Sequence, residues 1–137
     1  MIKSLLFFSL IVPKLAHAQT VQHGTWRTES TFEVNGLQMP PNKGEECLSK
    51  ENAKDLKATL TKELSKIGCS SNKWIVKANE VDIGLKCNNA GLDAEGKMKG
   101  TVSEKKYNLS GDAAGTFQGF PAQAKINLLG NWVKACQ

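Results

Sequence analysis

Much of the chain alternates apolar or small residues with charged or polar ones, and this pattern limits the folds that it can adopt. Successive side chains of a β-strand point to opposite faces, so the alternation predicts strands with one buried and one wet face. Antiparallel sheets tolerate a wet face, whereas parallel sheets are usually covered on both. The clearest alternating stretches are residues 24–34, 81–87, 92–103 and 122–128.

Shorter segments complete the expected sheet. Three further stretches resemble short strands: residues 74–77, 106–109 and 116–120. Turn signals separate several strands: Asn35-Gly36, residues 88–91 and Ser110-Gly111-Asp112. Short strands at close spacing with turns between them indicate an antiparallel meander, so we predict a curved β-meander of about six to eight short strands.

One α-helix is predicted after the first strand. Between residues 50 and 67, apolar side chains recur at steps of three and four, the spacing of one helical face: Ala53, Leu56, Leu60, Leu64 and Ile67. Ser49 can cap the start of this helix, and Gly68 stands where a helix commonly ends. One helix within an antiparallel sheet places the fold in the α+β class.

The first residues have the pattern of a secretory signal. Lys3 precedes an apolar run over residues 5–12, and Ala16-His17-Ala18 supplies a small-x-small cleavage site. We expect cleavage between Ala18 and Gln19, which removes residues 1–18 and leaves 19–137 as a single disulfide-stapled α+β domain. The expected location is the periplasm, or the medium after secretion.

Four cysteines remain in the mature chain: Cys47, Cys69, Cys87 and Cys136. An even number in an exported protein indicates disulfides, here two. Four cysteines can pair in three ways, and the spacing does not choose among them. The chain has no C-x-x-C motif and lacks the close ligand pairs of a zinc site, so we expect neither a redox role nor a metal site.

Charge and hydropathy exclude two classes of partner. Removing Lys3 and Lys14 with the signal lowers the formal net charge from +5 by two, to +3, and the remaining lysines are dispersed. Nucleic-acid-binding proteins concentrate a basic stripe, so no nucleic-acid partner is expected. No later stretch approaches the roughly 20 apolar residues that cross a bilayer, so we expect no transmembrane segment in the mature chain.

The motifs of common catalytic sites are absent from the sequence. The mature chain has one histidine, His23, and no H-E-x-x-H, G-x-S-x-G or phosphate-binding loop. Asp93 and Glu95 share a predicted strand face with Lys97 and Lys99, which indicates self-neutralising surface charge. Glu45-Glu46 lacks the oxygen-rich spacing of a calcium site. We therefore predict no catalytic residues, no cofactor and no enzymatic activity.

The three tryptophans are the remaining candidate site residues. Trp26 and Trp132 each follow a glycine in a Gly-x-Trp pattern near the two ends of the mature chain, and Trp74 begins an apolar strand. Tryptophans commonly serve packing. The alternative is that they line a pocket or form an exposed interaction surface.

The order of several features resembles a known family. They are Gly24-x-Trp26, the Met39-Pro40-Pro41 loop, Cys47-Leu48-Ser49-Lys50-Glu51 at the helix start, Cys69, Cys87, and Gly130-x-Trp132 followed by Cys136. Together they resemble the exported bacterial proteins grouped as domain of unknown function 3617. The resemblance implies export and a similar fold, and it favours the sequential pairing Cys47–Cys69 and Cys87–Cys136.

Three functional hypotheses follow, the last of them an enzyme with carboxylates as its only acid–base pair. The first is a non-catalytic binding or interaction module whose partner, unknown from sequence, would be another periplasmic protein or a small apolar ligand. The alternative is a small β-barrel-like carrier of an apolar ligand. Small residues on the predicted inner face, such as Ala94, Gly96 and Gly100, could leave room for a ligand or permit tight packing and curvature. An apolar cavity of a few hundred Å³ would favour the carrier, and a filled core would count against it.

Overall fold

The computed structural model describes residues 20–137, so the predicted signal and its cleavage between Ala18 and Gln19 lie outside the described residues. Within residues 20–137, eight strands and two helices form the fold. The strands are β1 (Gly24–Val34), β2 (Leu37–Gln38), β3 (Asn42–Leu48), β4 (Cys69–Lys77), β5 (Glu80–Asn89), β6 (Leu92–Val102), β7 (Lys106–Phe117) and β8 (Phe120–Lys134). The helices are α1 (Lys50–Ala53) and α2 (Leu56–Lys66).

All strand pairs are antiparallel, as predicted from the alternation. The strand order is β2-β1-β8-β7-β6-β5-β4, and β3 also pairs with β1. From β4 to β8 each strand pairs with its successor in the chain, which is a meander. β1 joins the other end of this meander by pairing with β8 along ten residues. The two edges of the sheet are therefore β4 on one side and β2 with β3 on the other.

The predicted position of the helix, directly after the first strand, is wrong. Two strands intervene: Leu37 and Gln38 fold back on the end of β1, and Asn42–Leu48 pairs with its first half. The second of these, β3, is an edge strand with mostly exposed side chains. Because neither of its faces is buried, its sequence lacks the alternation by which the other strands are recognised.

Four of the strands, β4, β5, β7 and β8, are longer than predicted. β7 runs unbroken over twelve residues through Ser110-Gly111-Asp112, where a turn was expected. Gly111 faces Met98 of β6, and a Cβ at this glycine would lie 2.9 Å from the Met98 Cα atom. The glycine thus permits close approach of two strands, and the chain turns instead at Gln118-Gly119, where both residues have positive φ.

The predicted helical segment forms two helices. Ser49 caps α1 by accepting a hydrogen bond from the amide of Asn52, as expected, and Asp55 caps α2 by accepting one from Ala58. The second cap restarts the helix after Lys54. Gly68 then ends the segment with φ +74°, a conformation that favours glycine. All five residues of the predicted apolar stripe are buried.

The core forms where α2 packs against the inner face of the sheet. Leu60 and Leu64 are fully buried, together with inward-facing residues of β5 to β8. The small inward residues permit close strand contact: a Cβ at Gly96 or Gly115 would clash with the backbone of the adjacent strand. These glycines therefore allow the backbones of adjacent strands to approach closely.

Both disulfides differ from the sequential pairing. The bonds are Cys47–Cys136 and Cys69–Cys87, so Cys47–Cys69 and Cys87–Cys136 are wrong. The α1–α2 segment carries the chain from one sheet edge, β3, to the other, β4, and the cysteines at its two ends are therefore kept apart. Cys69 instead lies directly opposite Cys87 in the β4–β5 register, and Cys136 follows β8, two strands from Cys47.

Candidate functional site

An apolar groove opens at one end of the curled sheet, where β1 and β7 end and β6 begins. We call it the mouth groove, and its volume is about 410 Å³. Its lining comes from both halves of the sheet, which shows that the sheet curls around α2. The lining residues are Phe32, Val34, Asn35, Leu37, Met39, Pro40, Asn42, Lys66, Ile67, Asn89, Ala90, Leu92 and Phe117.

The strand register places the apolar side chains of the groove. Phe32 and Val34 continue the inward-facing series of β1, and Phe117 lies opposite Leu92 on the inner face of the β6–β7 pair. At this end α2 has already ended, so these inward positions are only partly covered. The Met39-Pro40-Pro41 loop, noted in the sequence for its prolines, contributes the other wall.

Three of the most exposed large apolar side chains lie at or beside this mouth. Leu37 is 69% exposed and Met39 is 42% exposed, and both line the groove. Phe120 is 73% exposed and is the cross-strand partner of Phe117. Exposed apolar side chains gathered around an apolar concavity mark a binding surface more often than singly scattered ones do.

Lys66, on the last turn of α2, is the one charged residue among those that line the groove. Its Nζ donates hydrogen bonds to Glu46 of β3 and, at 2.9 Å, to Glu63 of α2. The hydrogen bond from Lys66 lowers the pKa of Glu46 despite partial burial. Burial alone would lower the pKa of Lys66, but its hydrogen bonds to the two carboxylates raise it. The lowered pKa of Glu46 and the raised pKa of Lys66 keep this pair ionised at neutral pH, and the pair joins α2 to the β3 edge.

The core between α2 and β1 is filled. The gap there measures about 20 Å³, and its walls include Trp26, Leu56 and Tyr107. Burial raises the pKa of the Tyr107 hydroxyl, and the nearby carboxylates of Glu63 and Glu46 add to the effect. A gap of this size holds no more than about one water molecule, so a ligand enclosed in the interior is not supported.

The tryptophans do not form one site. Trp26 and Trp132 are register partners at the end of the sheet opposite the mouth groove. The indole N–H of Trp26 donates to the backbone carbonyl of Gln22, and that of Trp132 donates to the backbone carbonyl of His23. Trp26 is buried and stacks on Tyr107 with 5.8 Å between ring centroids. Trp74 is half-buried on β4, opposite Ile83. None of the three lines the mouth groove.

The outer face of the sheet carries interleaved charge. Glu33, Lys125, Asp112 and Lys97 are successive register partners across four strands, and they line a shallow concavity of about 700 Å³. Lys99, one of the lysines predicted to neutralise this face, lies 3.9 Å from Asp82. Basic and acidic side chains alternate here, so this face lacks the continuous basic stripe of a nucleic-acid interface.

Residues 20–137 contain neither a metal-binding cluster of side chains nor a membrane-spanning helix. Within this range, no group of three or more histidine, cysteine, aspartate or glutamate side chains is arranged to hold a metal ion. No helix in the described part of the chain is long and apolar enough to cross a membrane.

The mouth groove was not predicted from the sequence, because its walls come from segments that are distant in the chain. The available signal was local: Leu37 and Met39 are large apolar residues in a loop otherwise rich in turn-forming residues, and Phe120 follows a Gln-Gly turn directly. At such positions, large apolar side chains are not placed on the buried face of the sheet. They are candidates for exposed binding surfaces.

A family model described as Protein of unknown function (DUF3617) matches residues 21–136. No curated protein and no solved structure matches the chain. The matched range runs from the residues before β1 to the cysteine that follows β8, so it includes both disulfides and every element that lines the mouth groove.

Proposed function

The chain belongs to the DUF3617 family of proteins of unknown function, as its cysteines and Gly-x-Trp patterns indicated, and we propose that it is an exported, non-catalytic binding module whose mouth groove holds a small apolar ligand. The observation that carries this proposal is the apolar groove of about 410 Å³ with Leu37 and Met39 exposed at its rim.

Two features support export. All four cysteines are paired, and structural disulfides persist mainly in oxidising compartments such as the periplasm. The sequence before the fold has the charge, apolar run and small-residue site of a secretory signal. The two features are independent, since one lies in the folded domain and the other in the leader.

The chemistry of the described residues supports a non-catalytic role. Glu46 and Glu63 converge, but both are hydrogen-bonded to Lys66, and the pKa of Glu46 is lowered. A general acid needs a raised pKa to carry a proton at neutral pH. The cysteines are bonded to one another and therefore offer no thiolate nucleophile.

The volume and lining of the groove favour a small ligand. Small-molecule sites are typically about 300–1,000 Å³, mostly apolar, with a few polar groups that fix orientation. The mouth groove has this size and composition, with amide side chains and Lys66 among its apolar walls. The filled interior argues against a carrier that encloses its ligand, so we place the ligand at the open end.

Binding of the neutral fluorescent probe N-phenyl-1-naphthylamine tests the proposal. We expect saturable binding to the mature protein, and we expect Met39→Asp to weaken it about tenfold, because the new charge must be desolvated beside the ligand. Ile75→Asp is the matched control, since Ile75 on β4 is 38% exposed, close to the 42% of Met39, but lies outside the groove.

The two variants separate a specific site from general surface adsorption. Weakening by Met39→Asp alone would support the mouth groove. Equal weakening by both variants, or no measurable binding by the unmodified protein, would contradict the proposal. Circular dichroism of each variant would confirm that the fold is retained.

A further inference from the structure

We infer that the mouth groove selects amphiphiles whose polar end is uncharged or cationic and disfavours those with an anionic end. This inference rests on the proposed function and adds the chemical class of the ligand. It follows from the charges that surround the one ionic residue of the lining, Lys66.

A lone lysine in an apolar groove would attract a carboxylate or phosphate headgroup. Lys66 is not alone, because its ammonium group already donates to the carboxylates of Glu46 and Glu63. The formal charges of the cluster, two carboxylates and one ammonium group, sum to −1. An anionic headgroup beside the cluster is therefore repelled, whereas a cationic one is attracted.

Burial limits how far salt can screen the charge of this cluster. The Glu63 side chain is 5% exposed, and the Glu46 and Lys66 side chains are 30% and 36% exposed. Salt screens exposed charges effectively, but it screens buried and half-buried ones much less. The negative charge of the cluster should thus be felt at the groove under physiological salt.

The other polar groups of the lining are neutral amides. Asn35 is engaged, since it donates to the Pro121 carbonyl and accepts from the Gln123 amide. The side chains of Asn42 and Asn89 make no hydrogen bond within residues 20–137 and can serve an incoming polar group. An amide both donates and accepts, so it binds hydroxyl or ester groups as readily as charged ones.

The size of the groove favours an amphiphile over a folded protein partner. Thirteen residues line it, whereas a stable protein interface uses roughly 20–30 residues on each side. One apolar chain with a small headgroup fits a groove that is apolar along its walls and polar at a few points.

Three twelve-carbon probes test the inference: laurate, monolauroylglycerol and dodecyltrimethylammonium, each used below its critical micelle concentration. Each would displace N-phenyl-1-naphthylamine from the mature protein. We expect laurate to bind roughly three- to tenfold more weakly than the cationic probe. The reason is that the net negative charge of the half-buried cluster repels the carboxylate of laurate and attracts the ammonium group of the cationic probe. Monolauroylglycerol should lie between them or match the cation.

Charge-neutralising variants give the decisive comparison. Glu46→Gln removes the net charge of the cluster while leaving the Lys66–Glu63 hydrogen bond, so it should narrow the gap between laurate and the cation to less than about twofold. Glu45→Gln is the matched control, because Glu45 is the neighbouring residue on β3 but pairs with Arg27, at 3.1 Å. It should leave the gap unchanged.

The outcomes separate the inference from the proposed function. Tighter binding of laurate, equal binding of all three probes, or an equal effect of the two glutamine variants would overturn the charge preference while leaving the apolar groove intact. Failure of all three probes and of N-phenyl-1-naphthylamine to bind would overturn the proposed function itself.

Discussion

The aromatic ring of Tyr107 occupies the space that a side chain at position 130 would need. A Cβ at Gly130 would clash with the Tyr107 ring, and one at Gly24 would clash with the indole of Trp132. The glycines of the two Gly-x-Trp patterns therefore make room for aromatic rings across the β1–β8–β7 surface. They belong to the packed end of the sheet, opposite the mouth groove.

Gly130→Ala should destabilise the protein by about 1–3 kcal/mol, because the added methyl group must displace the Tyr107 ring from a filled core. Urea denaturation followed by tryptophan fluorescence would measure the loss. Gly44→Ala is the control: no atom lies within 4 Å of its Cβ position, so its effect should stay within about 0.5 kcal/mol. Equal effects at both positions would contradict the packing argument.

Tyr107 should resist ionisation until the protein unfolds. It is the single tyrosine of the chain, so the ultraviolet absorbance of tyrosinate reports this residue alone. Burial, and next the charges of Glu63 and Glu46, raise its pKa above the ordinary value of about 10. We expect no tyrosinate signal in the folded protein near pH 10 to 11, and its appearance together with the loss of tryptophan signal at higher pH.

The linkage between this pKa and stability has a definite sign. When the pKa of a group is higher in the folded protein than in the unfolded chain, the group stabilises the fold. This contribution is fully present at pH values below the pKa in the unfolded chain, and it is lost as the pH rises through the pKa in the folded protein. The raised pKa of Lys66 acts in the same direction. Tyr107→Phe should therefore lessen the fall in stability above about pH 10. A tyrosinate signal that appears in the folded protein at its ordinary pH would contradict the prediction.

Side-chain alternation predicted most of the sheet because it records which face of each strand is buried. Where neither face is fully buried the signal disappears, and for that reason the alternation does not predict β3, whose side chains are mostly exposed. The pattern predicts a turn at Gly111 because glycine serves both turns and close strand contacts, and the sequence does not distinguish the two. The helix stripe was recognised, but the restart at Asp55 was not.

Disulfide pairing and the mouth groove depend on topology, which local pattern does not carry. Cys47 and Cys69 are near in sequence, yet the helices between them carry the chain from one edge of the sheet to the other. The groove likewise joins the loop at Met39 to the β5–β6 turn at Ala90. Such contacts follow from the curl of the whole sheet.

The two disulfides should differ in their accessibility to reductant. Cys47 and Cys136 are exposed, whereas Cys69 is 4% exposed and Cys87 is fully buried. Exposed disulfides are the more labile ones, so mild reduction of the folded protein should open Cys47–Cys136 first. Alkylation followed by peptide mapping would identify the freed thiols, and early alkylation of Cys69 and Cys87 would contradict the assignment.

Lys66→Met should destabilise the fold more than Glu46→Gln does. Removing Lys66 leaves the buried carboxylate of Glu63 without its cation, which should lower the free energy of unfolding by about 2–3 kcal/mol. This loss is smaller than the usual one for fully buried pairs because Lys66 is partly exposed. Glu46→Gln leaves the Lys66–Glu63 pair intact and removes a more exposed carboxylate, so it should cost less than about 1 kcal/mol.

The double variant Lys66→Met/Glu63→Gln distinguishes charge burial from lost packing. If the cost of Lys66→Met comes from the unpaired carboxylate, neutralising Glu63 should restore about half or more of the lost stability. Urea denaturation of all three variants at neutral pH would measure this recovery. If the double variant is no more stable than Lys66→Met alone, the cluster holds α2 to β3 through the packing of the lysine chain, and the electrostatic account of this contact is wrong.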